Sequence, residues 1–568
     1  MIKHFVIALS LALAACTSTA PPATTADPVG AMPGMVAAAE PLAAKAGRWA
    51  LREGGSATDA AMVMMLALTV IEPQSSGIGG GGFLVHHQGK SGTIATIDGR
   101  ETAPADARPN RFLRADGKPM PFMEAVASGL SVGVPGNIRL MARAHERWGR
   151  LSWEKLFDPA IELADGGFPV TPALHARLEQ MQTLWRDFPE ARAIYYGKDG
   201  KPLPVGAKIK NPALAATLRR LANEGPSAFY QGAGGRAITQ AVVSAPHHPA
   251  TLSATDLAAY RAKDRDAVCG MYRTYRICGM GPPSSGATTV IAMLGMLERF
   301  DLAALGASDP RAWHLIGEAM RLAYADRDKY LGDGDFVPVP VAGLIDPAYL
   351  AQRSKLIAID RTLRSYPAGN PAGAHPRTAG GAVREQGTTH FVAVDRNGDV
   401  ASMTSTVEGP FGSQLIANGF FLNNELTDFS FVPARDGAPV ANRIEPGKRP
   451  LSSMAPTIVY DQQGKVVLAL GSAGGRRIIM HVAKTLIAVL DWGMPPAEAI
   501  ALPNIFFNDS GLLVEKGSTL VPMQRDLVAL GQTVAVADLP SKVTAIQRTD
   551  AGWRGAADPR SEGVALGE

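Results

Sequence analysis

The chain is expected to fold with both helices and strands, because three kinds of pattern recur along its 568 residues. One is composition: 46% hydrophobic against 19% charged residues supplies enough apolar surface for a large core and excludes a disordered or fibrous chain. Another is alternation, clearest in TTHFVAVDRNGDVASMTST at residues 388–406, where two β-prone runs flank Asn397-Gly398. The third is helical spacing bounded by cap residues, as at residues 42–52 and again from Asp309-Pro310 towards Gly332. The formal net charge of +4 is small for this length and no run of Lys or Arg stands out, so no nucleic-acid partner is expected.

In chain order, residues 1–16, MIKHFVIALSLALAAC, read as a secretory signal: a basic Lys3, an apolar stretch too short to span a bilayer, then small residues. Leu13-Ala14-Ala15-Cys16 resembles a bacterial lipobox, with Cys16 as the lipidated first mature residue. The alternative is an ordinary signal cut after Ala15. With Thr17 next, the expectation is a periplasmic protein anchored to the outer membrane, touching the membrane only through that lipid. Residues 17–38 are small, polar and Pro-rich and are expected to form a flexible tether. The helical segment 42–52 ends at Gly54-Gly55, after which Ser56 and Asp59 resemble a capping box for a second helix.

Cys269 and Cys278 lie in VCGMYRTYRIC, a hairpin pattern centred on Arg273 and Thr274. Counting outward from a two-residue turn sets Tyr272 against Tyr275 and Cys269 against Cys278, at a non-hydrogen-bonded site where side chains approach closely. In an oxidising compartment a disulfide follows. Residues 365–387 form a second loose stretch, ending at the alternating segment. There a two-residue turn sets Thr388 opposite Val407, and a three-residue Arg396-Asn397-Gly398 turn sets it opposite Thr406; both registers remain open. Residues 466–470 read as a buried strand, followed by GSAGG and an apolar helical pattern over residues 476–492. Such a junction clusters backbone N–H donors.

Several tempting signals carry no function. GIGGGG at residues 77–82 matches the dinucleotide fingerprint in letters, but a helix precedes it and a strand follows, the reverse of the required order. H-E-x-x-H is absent from the sequence. His247-His248 sits in a loop-like stretch without a ligand set, and no metal or other cofactor is expected.

From Gln386 to Ser453 the motifs QGTTH, FGSQ, LNNELTDFS and KRPLSSMAPT resemble, in order and spacing, the γ-glutamyltransferase family. GGSATDAA, EPQSSGIGGGGF, DGRETAP, VPG at residues 134–136, PPSSGA, GSAGG and ADPRSEG extend that resemblance over almost the whole chain. It implies the α+β fold of the N-terminal nucleophile hydrolases, a four-layer αββα sandwich of two stacked sheets between helical layers. It also implies self-cleavage between Gly387 and Thr388, giving a large piece over residues 39–387 and a small catalytic piece over 388–568 that stay together as a heterodimer.

The resemblance assigns roles residue by residue. Thr388 is the nucleophile and its freed α-amine the base, since a threonine hydroxyl needs one beside it. Thr406 matches the threonine that contacts the nucleophile, which favours the three-residue turn. Gly474 and Gly475 match the oxyanion hole. Arg100 matches the arginine that grips the donor α-carboxylate, helped by Ser452 and Ser453, and its planar fork suits that contact. On the α-ammonium side Asp428 matches the family acid, while Glu408 stands where many members have Asn and Glu425 where members have Gln or Glu. The stretch 429–448 is short and lacks Tyr and Trp, where many relatives carry a longer aromatic lid, so a more open site is expected. The implied partners are a small γ-glutamyl donor and a water or amine acceptor. The competing reading is a glutaryl or cephalosporin-type acylase on the same scaffold; a non-catalytic binding protein fits poorly with an intact nucleophile, arginine, acid and glycine set.

Overall fold

The computed structural model describes residues 33–380, 387–508 and 511–568. The signal over residues 1–16, Cys16, most of the tether and Gln386 lie outside the described residues. Two antiparallel sheets form the centre. The first runs, edge to edge, Val564–Gly567, Met35–Ala38, Thr389–Val394, Val400–Thr406, Gly81–Gln88, Thr93–Asp98 and Lys263–Arg265. The second runs Gly552–Ala557, Thr544–Thr549, Val466–Gly471, Thr457–Tyr460, Tyr275–Gly279 and Val268–Tyr272.

Alternation decides what each face covers. In the first sheet Val36, Ala38, Phe391, Ala393, Ala401 and Met403 pack on one helical layer, which includes Pro41–Arg52, Ala57–Ile71 and Asn137–Trp148. Ala37, Phe83, Val85, Val392, Val394 and Val400 take the other parity and share a core with Leu468, Leu470 and Ile458 of the second sheet. Helices Gly286–Leu297, Pro310–Tyr330 and Ile478–Leu490 close that side. The result is the αββα sandwich.

Local signals set the element ends. Ser56 caps Ala57–Ile71 by accepting from Asp59 N–H, and the Asp59 carboxylate accepts in return from Ser56 N–H at 2.8 Å. Asp309 caps the 21-residue helix Pro310–Tyr330. Cys269 lies opposite Cys278 with Cα atoms 4.1 Å apart, and their sulfurs are bonded.

One boundary needs correction. The tether does not extend to residue 38, because Met35–Ala38 is a buried strand between Val564–Gly567 and Thr389–Val394. MVAA is a short, wholly apolar run without alternation, and it follows a Pro-Gly-rich segment whose composition masks it. Within the second loose stretch, residues 365–380 carry no helix or strand.

Candidate active site

The hairpin after residue 387 places Thr388. Val394 pairs with Val400 and Thr389 with Ser405, so the turn is the three-residue Arg396-Asn397-Gly398, with Gly398 at φ 77°. One further step sets Thr388 opposite Thr406, and their hydroxyl oxygens are 3.1 Å apart. Both residues share parity with Val392, Val394 and Val400 and so face the second sheet. There the strand Val466–Gly471 ends in the GSAGG loop, and Gly474 N–H donates to the Gly387 carbonyl at 3.3 Å. The peptide bond between Gly387 and Thr388 thus carries a hydroxyl on one side and a backbone donor on its oxygen.

Three contacts hold this arrangement. Thr388 N–H and Val407 N–H both donate to Ser75 O, at 3.3 and 3.2 Å. Glu408 N–H donates to Thr406 Oγ1 at 2.8 Å, leaving the Thr406 proton for Thr388 Oγ1. A Cβ on Gly80 would lie 1.9 Å from Thr406 O and one on Gly79 2.0 Å from Phe421 O, so the glycines of GIGGGG allow close backbone approach beside Thr406. Thr388 itself has φ 78°, strained for a β-branched residue and worth about 1–3 kcal/mol.

The second half of the site centres on Arg100, which is 1% exposed. Its Nη1 donates to Glu425 Oε1, and its Nη2 to Asp428 Oδ2 at 2.5 Å and Leu451 O at 2.9 Å. Its Nε donates to Pro450 O at 3.2 Å. Asp98 accepts from Arg100 N–H at 2.8 Å and is itself paired with Arg449. Burial opposes the guanidinium charge, but Glu425 and Asp428 outweigh it and hold the pKa above its ordinary value.

The acids differ from one another. Glu101, absent from the sequence-based site, is fully buried with neither carboxyl oxygen hydrogen-bonded, and burial pushes its pKa up to about 8 despite Arg100. Burial also raises Glu425 well above the carboxylate range, with Glu101 and Glu408 adding to it against Arg100. Glu408 has φ 74° and accepts from Asn424 Nδ2.

Among the described residues, the Arg100 side chain makes its hydrogen bonds to groups other than Ser452 and Ser453. Ser452 Oγ accepts from Met454 N–H at 3.2 Å, and Ser453 Oγ accepts from Arg327 Nη2 at 2.7 Å. PPSSGA supports them, because Ser285 N–H and Oγ both donate to Ser452 O at 2.7 Å. Gly475 follows Gly474 at φ 59° and opens the turn into Ile478–Leu490.

In the continuous chain Thr388 is 4% exposed and Glu425 0%. The place beside the hydroxyl is taken by the chain's own Gly387 carbonyl. The lid stretch also packs by phenylalanines instead of Tyr or Trp: Phe429 is buried, and Phe431 stacks on Phe112 with centroids 4.5 Å apart.

Residues 43–568 match the family model described as Gamma-glutamyltranspeptidase. The chain belongs to the γ-glutamyltranspeptidase family. Among curated relatives, the glutathione hydrolase proenzyme of Bacillus subtilis (strain 168) is 35% identical over 551 residues, covering 94% of this chain and 91% of that protein. The glutathione hydrolase proenzyme of Escherichia coli (strain K12) is 36% identical over 548 residues, with 94% and 91% covered. Among solved structures, the cephalosporin acylase from Bacillus halodurans superposes with a TM-score of 0.83 at 26% identity, covering 96% of this chain and 98% of that one.

With this γ-glutamyltranspeptidase frame in place, the residues missed from sequence can be named. Glu101 stood in the quoted DGRETAP beside Arg100, but an irregular segment gives no parity from which to read its direction. Asn423 of LNNEL joins two other motifs: its Nδ2 donates to Gly79 O at 2.8 Å and Gly133 O at 3.0 Å. Among the described residues no helix is long and apolar enough to cross a membrane, and no acid, His or Cys cluster suits a metal.

Proposed function

We propose that the protein cuts itself between Gly387 and Thr388 and then hydrolyses or transfers the γ-glutamyl group of glutathione and related amides. The observation that carries this is Thr388 Oγ1 paired with Thr406 Oγ1 while Gly474 N–H sits on the adjacent Gly387 carbonyl. In the precursor the hydroxyl attacks that carbonyl, the carbonyl oxygen takes up negative charge against Gly474 N–H, and the peptide nitrogen leaves as the α-amine of Thr388. Water then opens the ester. The freed amine has an ordinary pKa of about 7.7–8 and serves as base for the same hydroxyl in turnover. A donor amide replaces Gly387, its amine leaves, and water or an acceptor amine takes the acyl group from Thr388.

The two pieces remain associated because their strands interleave. Met35–Ala38 of the large piece lies between Val564–Gly567 and Thr389–Val394 of the small one. Separation would dissolve the first sheet.

Arg100, Glu425 and Asp428 support the choice of donor. A zwitterionic α-amino acid head offers Arg100 a carboxylate and the acids an ammonium, so it can insert while each charge keeps an opposite partner. A glutaryl head brings only a carboxylate; it takes Arg100 and strands the acids, which costs several kcal/mol. The acylase reading has the superposition on a cephalosporin acylase in its favour. A γ-glutamyl anilide is expected to be cleaved at least roughly a hundredfold better than the matching glutaryl anilide in kcat/KM, about 2.7 kcal/mol. Equal rates, or a preference for glutaryl, would make the protein an acylase.

We also propose a periplasmic address with Cys16 lipidated, on the strength of the leader sequence and an oxidised Cys269–Cys278 pair. Mass spectrometry of the mature N-terminus decides it: an acylated Cys16 supports the anchor, an unmodified terminus at Cys16 removes it.

A further inference from the structure

Behind the GSAGG loop lies a histidine that the chemistry above leaves unused. His481 belongs to the helix Ile478–Leu490 and is 1% exposed. Its Nδ1 is 3.0 Å from Ser472 Oγ and 3.2 Å from Ala473 O, and Ser472 Oγ donates to Ala473 O at 2.8 Å. Its Nε2 is buried with no hydrogen-bond partner among the described residues. A Cβ on Gly474 would come within 3.0 Å of the ring's Cε1, so the imidazole backs directly onto the loop.

The tautomer follows from these contacts. Burial, reinforced by Lys484 and Arg477, holds the imidazole well below its usual pKa, so the ring is neutral and carries one N–H. Placed on Nδ1, that hydrogen donates to Ser472 Oγ and Ala473 O, and the serine proton remains for Ala473 O. Placed on Nε2 it would be a buried donor without an acceptor, an arrangement that folded proteins avoid.

The Ala473 carbonyl and the Gly474 N–H belong to one planar peptide unit and point to opposite sides of it. Holding the oxygen therefore fixes the direction of the hydrogen, which meets Gly387 O at 3.3 Å. Without such a hold the plane is free to turn, because Gly474 at φ 128° and Gly475 at φ 59° occupy backbone space that only glycine tolerates well. Hydrogen bonds onto the carbonyl also polarise the amide and strengthen its N–H as a donor.

We propose that His481 is a positioning residue for the oxyanion donor: through Nδ1 and Ser472 it clamps the Ala473–Gly474 peptide so that Gly474 N–H is aimed at the reacting carbonyl, in self-cleavage and in turnover alike. This rests on the nucleophile reading above. It acts on the transition state, so it should move kcat and leave KM.

The test compares two replacements that differ in where they place a donor. In His481→Asn the side-chain amide nitrogen falls near the place of Nδ1, and in His481→Gln near that of Nε2. Self-cleavage of the freshly made precursor and kcat on a γ-glutamyl anilide are measured for both, with Tm as a check on folding. The Asn variant is expected within about threefold of wild type, and the Gln variant slower by about tenfold or more in both reactions with KM within about twofold. That loss is part of the 10²–10³ that follows removal of a whole oxyanion donor. Ser472→Ala, which leaves the ring in place, is expected to lower kcat alone by about threefold. Equal rates for Asn and Gln, or a kcat for Gln within twofold of wild type, would overturn the assignment. Wild type that never cuts itself would instead overturn the nucleophile reading on which it rests.

Discussion

Replacing Thr388 with alanine is expected to leave one uncut polypeptide with no measurable turnover of a γ-glutamyl anilide. The variant removes the hydroxyl that pairs with Thr406 Oγ1 next to the Gly387 carbonyl, while Gly474 N–H and Ser75 O still hold the backbone around it. Thr388→Ser keeps the hydroxyl and should still cut, because an oxygen, not the methyl group, forms the ester. Loss of an activated nucleophile costs several decades in kcat, far more than loss of any one binding contact. A gel of both variants and a rate assay read the outcome. A cleaved and active alanine variant would remove Thr388 from the chemistry.

The next largest effect is expected at Arg100. Removing one partner of a buried ion pair costs about 3–5 kcal/mol, or roughly two to four decades in kcat/KM. Arg100→Ala should therefore be nearly inactive and yet cut itself, because no contact joins Arg100 to Thr388, Thr406 or Gly474 among its hydrogen bonds. The fold should survive the loss, since burial already favours the neutral forms of Glu101 and Glu425. Arg100→Lys keeps the charge but not the fork, and should fall between the two. Activity of Arg100→Ala within about fivefold of wild type would show that the guanidinium does not meet the donor.

What could be read from sequence was local. The Ser56 and Asp59 cap, the turn facing Cys269 to Cys278 and the hairpin at Asn397-Gly398 each depend on a few neighbouring residues, and each has the expected form. The hairpin register was open because a two-residue and a three-residue turn differ by one position; pairing with the neighbouring strands settles it. The layering of sheets and helices was not legible from periodicity, since buried helices such as Ala57–Ile71 are apolar all round and show no stripe. It came from the family resemblance.

Tertiary closeness was the least legible. MVAA gave no sign that it would lie between strands from the far end of the chain. Glu101 and His481 are single letters whose importance depends on what packs against them: Arg100 and Glu425 in one case, the Ala473–Gly474 peptide in the other.

The central claim, that a self-made cut frees Thr388 to act, is tested most directly by intact mass and N-terminal sequencing of the purified wild-type protein. Two fragments are expected, the smaller one of 181 residues from Thr388 to Glu568 and beginning Thr388-Thr389-His390. A single uncut chain that hydrolyses the γ-glutamyl anilide would contradict it.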